Sequence, residues 1–205
     1  MERYPRGRRG RFAKSLGGSN LPRGFESLPL RHELMKLLIY GFGSFGRNNT
    51  NISQQIIETL PDSANITKVV LPVGFGSKIL LDEISVSKPD FILGLGQYPR
   101  GTKIRIEKVA HNEFSASKTR LPKPITKNGL ESVEVTLDIE PNNNSFVSHD
   151  AGRYFCNYSM YLLLTNSATK DIPFAFLHIP KKIDLDLATK FIGDTIKQIL
   201  VKSRG

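Results

Sequence analysis

The sequence contains a single cysteine, Cys156, in the stretch 148–161. A lone cysteine cannot form an internal disulfide, so its thiol serves either packing or chemistry. Ala151 and Gly152 precede it and the apolar run 160–164 follows it, which predicts a loop that enters a buried helix. Cys156 then falls in the first helical turn, where unpaired N–H groups and the helix dipole favour a thiolate. The alternative is a small apolar residue in the core, because free cysteines are among the most buried residue types.

His178 is a second residue that could act together with Cys156. It lies at the end of the apolar run 173–180, which predicts an inner strand. A histidine in such a place is usually a structural residue held by hydrogen bonds. In parallel α/β sheets, however, ligands bind beyond the carboxyl ends of the strands, and a cysteine nucleophile needs a base. His178 is therefore the candidate base, with the structural role as the alternative.

The elements that must hold these residues alternate between strands and helices. The patterning predicts strands at 36–41, 67–73, 90–95, 103–112, 133–137 and 173–180, and helices at 53–60, 77–86, 154–165 and 186–202. Such alternation implies a mainly parallel sheet with helices on both of its faces. We therefore predict an α/β fold, a three-layer α/β/α sandwich around a twisted, mixed but mainly parallel sheet.

Charged residues line one face of the predicted strand 103–112. Ile104 and Ile106 share one face of this strand, and Arg105 and Glu107 share the other. Charges that alternate in this way usually form a ladder on a solvated sheet face. From the strand pattern alone, Glu107 is therefore predicted to be exposed.

Residues 41–46 read Gly-Phe-Gly-Ser-Phe-Gly after the first predicted strand and match the dinucleotide-binding pattern G-x-G-x-x-G. That pattern requires a helix that opens inside the motif. Here residues 47–51 have the composition of a loop, and the helix signal begins only at Ser53. The acidic residue at a suitable spacing, Asp62, lies in a turn and not at the end of a second strand. We therefore predict that no nucleotide binds here.

The first 34 residues differ in composition from the rest of the chain. They carry eight Lys/Arg and three Asp/Glu, are rich in glycine, and show no helical or strand period. We expect residues 1–34 to form a disordered basic tail and residues 35–205 to form a single domain. We further hypothesise that translation starts at Met35, so that the tail is an artefact of the gene model.

The net charge of +10 invites a nucleic-acid partner, but its distribution argues against one. The tail accounts for half of the excess charge, and the rest of the chain shows no interleaving of aromatic with basic residues. No apolar run approaches the roughly 20 residues of a membrane span, so no membrane partner is predicted. One cysteine and no secretory leader predict a cytoplasmic protein. The oligomeric state stays open, with a homo-oligomer among the alternatives.

Five short motifs follow one another along the chain. They are Gly-Phe-Gly-Ser-Phe-Gly at 41–46, Leu-Pro-Val-Gly-Phe at 71–75, Glu-Lys-Val-Ala-His-Asn at 107–112, Ala-Gly-Arg-Tyr-Phe-Cys-Asn at 151–157 and Phe-Leu-His-Ile-Pro at 176–180. Four of them resemble the G-F-x-P-F-G, E-R-V-A-I-N, A-G-T-F-V-C-N and F-I-H-V-P stretches of the pyroglutamyl peptidase I family of cysteine peptidases, and the second is similar to the end of that family's second strand. No single motif is specific, but five in the right order are.

The resemblance implies an omega peptidase, a cysteine exopeptidase that removes N-terminal pyroglutamate from small peptides with no metal and no organic cofactor. It implies a triad of Cys156, His178 and Glu107. Cys156 would attack as a thiolate, His178 would pair with it and later protonate the leaving amine, and Glu107 would orient the imidazole. This role replaces the exposed position that the strand pattern predicts for Glu107.

The resemblance also implies contacts to the substrate. Phe42, Phe45 and Tyr154 correspond to aromatic residues that clasp the pyroglutamyl ring, and Gln97 corresponds to an amide near the lactam. Backbone N–H groups near Cys156 would stabilise the oxyanion. A blocked N-terminus has no ammonium group, so its site should offer flat apolar walls and amide partners instead of a carboxylate.

The chain departs from the family pattern at three places. Ser44 replaces a proline, residues 98–101 replace a glycine-rich turn, and Ser117 with Lys118 falls where the family carries an arginine. These departures leave two alternatives open. One is a thiol amidase that acts on another small blocked or lactam substrate, and the other is a non-catalytic ligand- or RNA-binding protein that uses the basic tail.

Overall fold

The computed structural model describes residues 34–44, 50–74, 77–117 and 120–202, which all lie in one compact unit. The described residues form eight strands: β1 (Leu37–Phe42), β2 (Ile66–Leu71), β3 (Phe91–Tyr98), β4 (Ile104–Glu107), β5 (Val109–His111), β6 (Ser132–Glu134), β7 (Ser145–Ser148) and β8 (Phe174–Pro180). They also form four helices: α1 (Ile52–Thr59), α2 (Ser77–Ser87), α3 (Phe155–Thr165) and α4 (Leu185–Lys202). The tail predicted at 1–34 lies, apart from Leu34, outside the described residues.

Six of these strands form one mixed sheet in the order β2-β1-β3-β8-β4-β7. β2, β1, β3 and β8 run parallel to one another. β4 is antiparallel to β8, and β7 is parallel to β4. β5 and β6 form a separate antiparallel pair. The prediction of a mixed but mainly parallel sheet is confirmed.

An apolar cluster covers each face of the sheet. α1 and α4 contribute residues such as Ile56 and Ile192 to one cluster. α2 and α3 contribute residues such as Leu80 and Met160 to the other. Buried residues of β1 alternate between the two clusters, as the period of an extended strand requires. The three-layer α/β/α architecture follows. Within the described ranges, no helix is long and apolar enough to span a membrane.

The strand predicted at 103–112 is in fact two strands, β4 and β5, that belong to different sheets. The chain changes pairing partners at Lys108, whose N–H donates to Ser148 O and whose carbonyl accepts from Val135 N. The predicted exposure of Glu107 is also wrong. Glu107 is 0 % exposed because β4 lies inside the sheet, between β8 and β7. β7 was not predicted, since four residues with a serine at each end give little apolar pattern.

Helix α1 begins well after the glycine motif. Asn51 is its N-cap, and Asn51 Oδ1 accepts the N–H of Ser53 at 3.1 Å. At Gly41 a Cβ atom would lie 2.8 Å from Ile57 Cδ1 and 3.0 Å from Ser53 Cβ. The glycine in β1 therefore allows close packing of α1 on the strand, which is a structural and not a phosphate-binding role.

We expect no nucleotide to bind at residues 41–46. The N–H groups that would hold a pyrophosphate at the start of α1 are occupied, because Ile52 N donates to Gln97 Oε1 and Ser53 N donates to Asn51 Oδ1. Titration calorimetry with NAD, NADP and ATP should detect no site tighter than millimolar. A micromolar site for any of the three would contradict this prediction.

Candidate active site

The predicted catalytic residues lie on the sheet face that α3 covers. The register of the sheet places His178 of β8 beside Gly96 of β3 and beside Arg105 of β4. Two register pairs further along the same strands, Glu107 lies beside Phe176. Residues paired across strands, and residues two apart along one strand, point to the same face. His178 and Glu107 therefore face α3 together.

His178 and Glu107 form a buried hydrogen-bonded pair. His178 Nδ1 donates to Glu107 Oε1 at 2.8 Å, with the two residues 4 % and 0 % exposed. The Nε2 atom is then the ring nitrogen left for another partner. Glu107 Oε2 has no hydrogen-bond partner within the described parts of the chain, and Oε1 lies 3.8 Å from Arg105 Nη1. An ionised carboxylate that accepts from the imidazole fixes both the tautomer and the ring orientation.

Cys156 is the second residue of α3, which follows Tyr154 as N-cap. This confirms the prediction that Cys156 lies in the first turn of a helix. Cys156 is half-buried, and its thiol lies beside His178, because Cys156 Sγ and His178 Cδ2 would lie 2.7 Å and 3.0 Å from the same Cβ atom at Gly96. The first-turn N–H groups of a helix have no helical acceptor. The structure thus brings Cys156, His178 and Glu107 into one chain of contacts.

The environment of His178 favours its charged form. Burial on its own would lower the pKa of His178, but the negative charge of the Cys156 thiolate, the hydrogen bond with that thiol and the Glu107 carboxylate together raise it to about 9. The imidazolium therefore persists at neutral pH. A positive charge of this kind next to a cysteine favours the thiolate form that a cysteine nucleophile needs. The described residues contain no group of three or more His, Cys, Asp or Glu that could hold a metal ion.

Two glycines of β3 make room for these side chains. A Cβ atom at Gly96 would lie 2.7 Å from Cys156 Sγ and 2.9 Å from Phe176 Cζ, and one at Gly94 would lie 2.7 Å from Tyr40 Oη. No side-chain carbon fits at either position. Neither glycine was predicted from the sequence to contact the catalytic residues. The available signal was a pair of glycines at alternate positions inside an apolar strand, which marks a close approach of other groups.

Buried polar residues hold the first turns of α3 in place. Asn157 is 0 % exposed and makes three hydrogen bonds of 2.8 Å, accepting from His111 N and donating to the carbonyls of His111 and Glu113. Ser159 Oγ donates to Cys156 O at 2.8 Å. The role of Asn157 was also not predicted from the sequence. Its signal was an asparagine, which is a poor helix former, inside an otherwise apolar helix.

The aromatic residues predicted to bind substrate lie around the helix start and the end of β1. Phe42 is buried, with its ring edge-on to Tyr40 at a centroid distance of 6.0 Å. Tyr154 is half-buried, with its ring edge-on to Phe155 at 4.9 Å. Phe45 lies outside the described residues. Tyr154 is the N-cap of α3, two residues before Cys156.

Gln97 lies at the carboxyl end of β3, in register with Ile179. Its side chain turns to the face of α1, where Oε1 accepts the N–H of Ile52 at 3.1 Å. Its Nε2 amide donates no hydrogen bond within the described part of the chain. The structure thus does not place Gln97 against His178, and it gives the residue a capping role at α1.

The segment after β5 is attached to the loop that enters α3. Arg153 Nε forms an ion pair with Glu113 Oε2, and Ser115 N donates to Arg153 O at 2.7 Å. Ser117, which falls where the resembled family has an arginine, accepts from Ser115 Oγ through its carbonyl at 2.6 Å. Lys118 lies outside the described residues. The departure from the family pattern therefore lies next to the candidate site.

Comparison with known proteins identifies the family. The family model described as pyroglutamyl peptidase matches residues 35–142. This range includes Glu107 and ends before Cys156 and His178. The association of these last two residues with Glu107 therefore rests on their contacts in the structure.

Individual relatives extend the match over most of the chain. A pyrrolidone-carboxylate peptidase of Pyrococcus furiosus is 33% identical in an alignment of length 171 that covers 71% of this chain and 81% of that protein. One of Thermoanaerobacter sp. is 28% identical over 203 residues, with 83% of this chain and 100% of that protein covered. The X-ray structure of pyrrolidone carboxyl peptidase from Pyrococcus furiosus matches with a TM-score of 0.72 and 26% identity, over 82% of this chain and 99% of that one. With these matches, the chain belongs to the pyroglutamyl peptidase family, a family of enzymes.

Proposed function

We propose that the protein is a cysteine exopeptidase that removes N-terminal pyroglutamate from small peptides. The observation that carries this proposal is the continuous chain of contacts from the Cys156 thiol through the His178 imidazole to the Glu107 carboxylate. Membership of the pyroglutamyl peptidase family supports the substrate class. Because the nucleophile is a free cysteine, we expect the enzyme to work in a reducing compartment such as the cytoplasm.

The reaction begins with attack of the Cys156 thiolate on the carbonyl carbon of the pyroglutamyl amide. The C=O electron pair moves to the oxygen, where N–H groups at the start of α3 stabilise the negative charge. As the tetrahedral adduct collapses, the C–N bond breaks and the His178 imidazolium transfers its Nε2 proton to the leaving amine. The products of this half-reaction are a thioester on Cys156 and the shortened peptide.

Hydrolysis of the thioester restores the enzyme. The imidazole of His178, now neutral, removes a proton from water, and the resulting hydroxide attacks the thioester carbonyl. Collapse of the second adduct releases pyroglutamate and regenerates the thiolate beside an imidazolium. Glu107 acts throughout by holding Nδ1 of His178, which keeps Nε2 directed to the reacting atoms.

We assign the binding of the pyroglutamyl ring to three aromatic side chains that would form apolar walls around it, Phe42, Phe45 and Tyr154. Gln97 is assigned to the lactam because it corresponds to an amide of the resembled family. It lies at the carboxyl edge of β3, and its Oε1 atom already accepts from Ile52 N, so Nε2 is the atom that would have to reach the lactam. A ring without an ammonium group needs no carboxylate partner, which distinguishes this site from that of an aminopeptidase.

A thiol amidase that acts on another small blocked substrate is the second candidate. The observation that favours it is the segment 113–117, whose backbone is tied to Arg153 and which carries Ser117 in place of an arginine. Such a change next to the nucleophile would alter which acyl group fits. The nucleophilic chemistry of the triad would be the same.

The test is hydrolysis of pyroglutamyl-7-amido-4-methylcoumarin by the full chain under reducing conditions. We expect cleavage of this substrate, no cleavage of the matched prolyl and glutamyl coumarin amides, and loss of activity after alkylation of Cys156 by iodoacetamide. Rapid alkylation without pyroglutamyl cleavage would point to the thiol amidase. A thiol that resists alkylation in the folded protein would show that Cys156 is a core residue and would contradict both candidates.

A further inference from the structure

Arg105 lies beside the triad and is held by several elements. Its Nη1 atom is 3.8 Å from Glu107 Oε1 and donates to Asp150 O at 3.5 Å. Its guanidinium carbon lies 4.2 Å from the ring centroid of Tyr98 and 5.7 Å from that of Phe146. The side chain is only 22% exposed. The guanidinium is therefore a fixed positive charge, because two rings and a carboxylate confine it.

Tyr98 connects this charge to the catalytic histidine. The ring centroids of Tyr98 and His178 are 5.9 Å apart, so one aromatic ring contacts both the guanidinium and the imidazole. Arg105 is also the register partner of His178 on the neighbouring strand. Tyr98 belongs to the segment 98–101, which departs from the pattern of the resembled family. The contact of Arg105 with Tyr98 thus involves a segment in which this chain departs from that pattern.

We propose that Arg105 is a positioning residue that sets the pH range in which the thiolate–imidazolium pair exists. The proposal rests on the function proposed above. A fixed positive charge beside the pair stabilises the thiolate and opposes the imidazolium, and it also competes for the Glu107 carboxylate that supports the imidazolium. Loss of the thiol proton and loss of the imidazolium proton are therefore both displaced to lower pH by Arg105.

Other titratable groups face the ion pair from the surrounding elements. Glu107 faces it from β4 and Tyr98 faces it from β3. Tyr40 faces it from β1, and burial together with the nearby thiolate raises the pKa of Tyr40 well above its usual value, so it stays a neutral phenol. Arg153, in the loop that enters α3, is already paired with Glu113. Arg105 is thus a positive charge whose contacts couple it directly to the triad.

The experiment compares the pH dependence of Cys156 alkylation and of kcat/KM in full-length variants. Arg105→Met and Arg105→Gln remove the charge, and Arg105→Lys keeps it. Lys103→Met is the matched control, because it removes an exposed positive charge from the same segment. In both neutral variants, we expect the acid and alkaline limbs of these pH profiles to move to higher pH by about half a unit to one unit. Arg105→Lys and Lys103→Met should keep the wild-type limbs.

Two results would overturn the proposal. One is that both limbs of the pH profile keep their wild-type positions in a folded neutral variant. Arg105→Gln serves for this measurement if Arg105→Met is unstable. The other is that Arg105→Lys shifts the limbs as far as Arg105→Met, which would assign the effect to packing on Tyr98 and not to charge. Failure of the proposed function would look different, because the wild-type thiol would then show the same alkylation profile with and without His178.

Discussion

Cys156→Ser should abolish cleavage of the pyroglutamyl coumarin amide, and His178→Ala should lower kcat/KM nearly as far, by a factor on the order of 10⁴ or more. The reason is that the thiolate and its base act as one unit, so loss of either removes the same pathway. Glu107→Gln should lower kcat/KM by a factor that is roughly two orders of magnitude smaller. The amide keeps a hydrogen-bond acceptor near Nδ1 of His178 but lacks the negative charge of the carboxylate. Steady-state kinetics of the three variants, each checked for its folded state by circular dichroism, measure these effects.

The same variants report on the ion pair directly. Because the pKa of His178 is raised to about 9, the imidazolium is present at neutral pH and is lost as the pH rises through that value. The alkaline limb of kcat/KM should therefore lie near pH 9. In His178→Ala the thiolate loses this partner, so alkylation by iodoacetamide should move toward alkaline pH. Equal alkylation rates in the wild type and His178→Ala at every pH would show that the two side chains do not form an ion pair.

Gly96→Ala should lower kcat/KM by roughly 10²-fold although it adds only one methyl group. The new Cβ atom would lie 2.7 Å from Cys156 Sγ and 3.0 Å from His178 Cδ2, so the thiol and the imidazole must both move. Overpacking of this kind also costs about 1–3 kcal/mol of the free energy of unfolding. Kinetics and urea denaturation of the variant measure both losses.

The matched control is the same substitution at Gly193 of α4, where an added Cβ atom meets nothing within 4 Å. Gly193→Ala should leave kcat/KM unchanged and should stabilise the protein by up to about 1 kcal/mol, because alanine favours a helix more than glycine does. Wild-type kinetics in Gly96→Ala would mean that the sheet accommodates a side chain beneath the nucleophile and would contradict the packing described for β3.

Local patterns were sufficient to predict the positions of Cys156 and His178. A helix start before an apolar run and a histidine at the end of an apolar strand are features of neighbouring residues, and the structure shows both. Glu107 is different, because its burial depends on which strands flank β4. Its partner His178 is 71 residues away along the chain. The alternation of a single strand cannot reveal such a neighbour, so the strand pattern predicted exposure, and only the family resemblance corrected it.

The division of 103–112 into β4 and β5 was hidden for the same reason. No proline or glycine interrupts residues 103–112, while the pairing changes at Lys108 from one sheet to another. Gly94 and Gly96 were visible in the sequence, but a glycine in a strand shows only that space is needed and not which side chain fills it. Here the space at Gly96 is filled from β8 and α3, which follow much later in the chain, and the space at Gly94 is filled by Phe176 of β8 and Tyr40 of β1.

β8 is the last strand of the chain, yet it lies in the interior of the sheet, between β3 and β4. Until the ribosome has passed residue 174, the nascent polypeptide can assemble only two separate strand groups, β2-β1-β3 and β4-β7, each with an open edge toward the other. Open edges pair readily with foreign strands, so this interval of synthesis is when the chain most needs chaperone protection. Cys156 is translated before its base, and it meets the imidazole only when β8 joins the two groups. An unfinished polypeptide therefore carries its nucleophile in an enzymatically silent form.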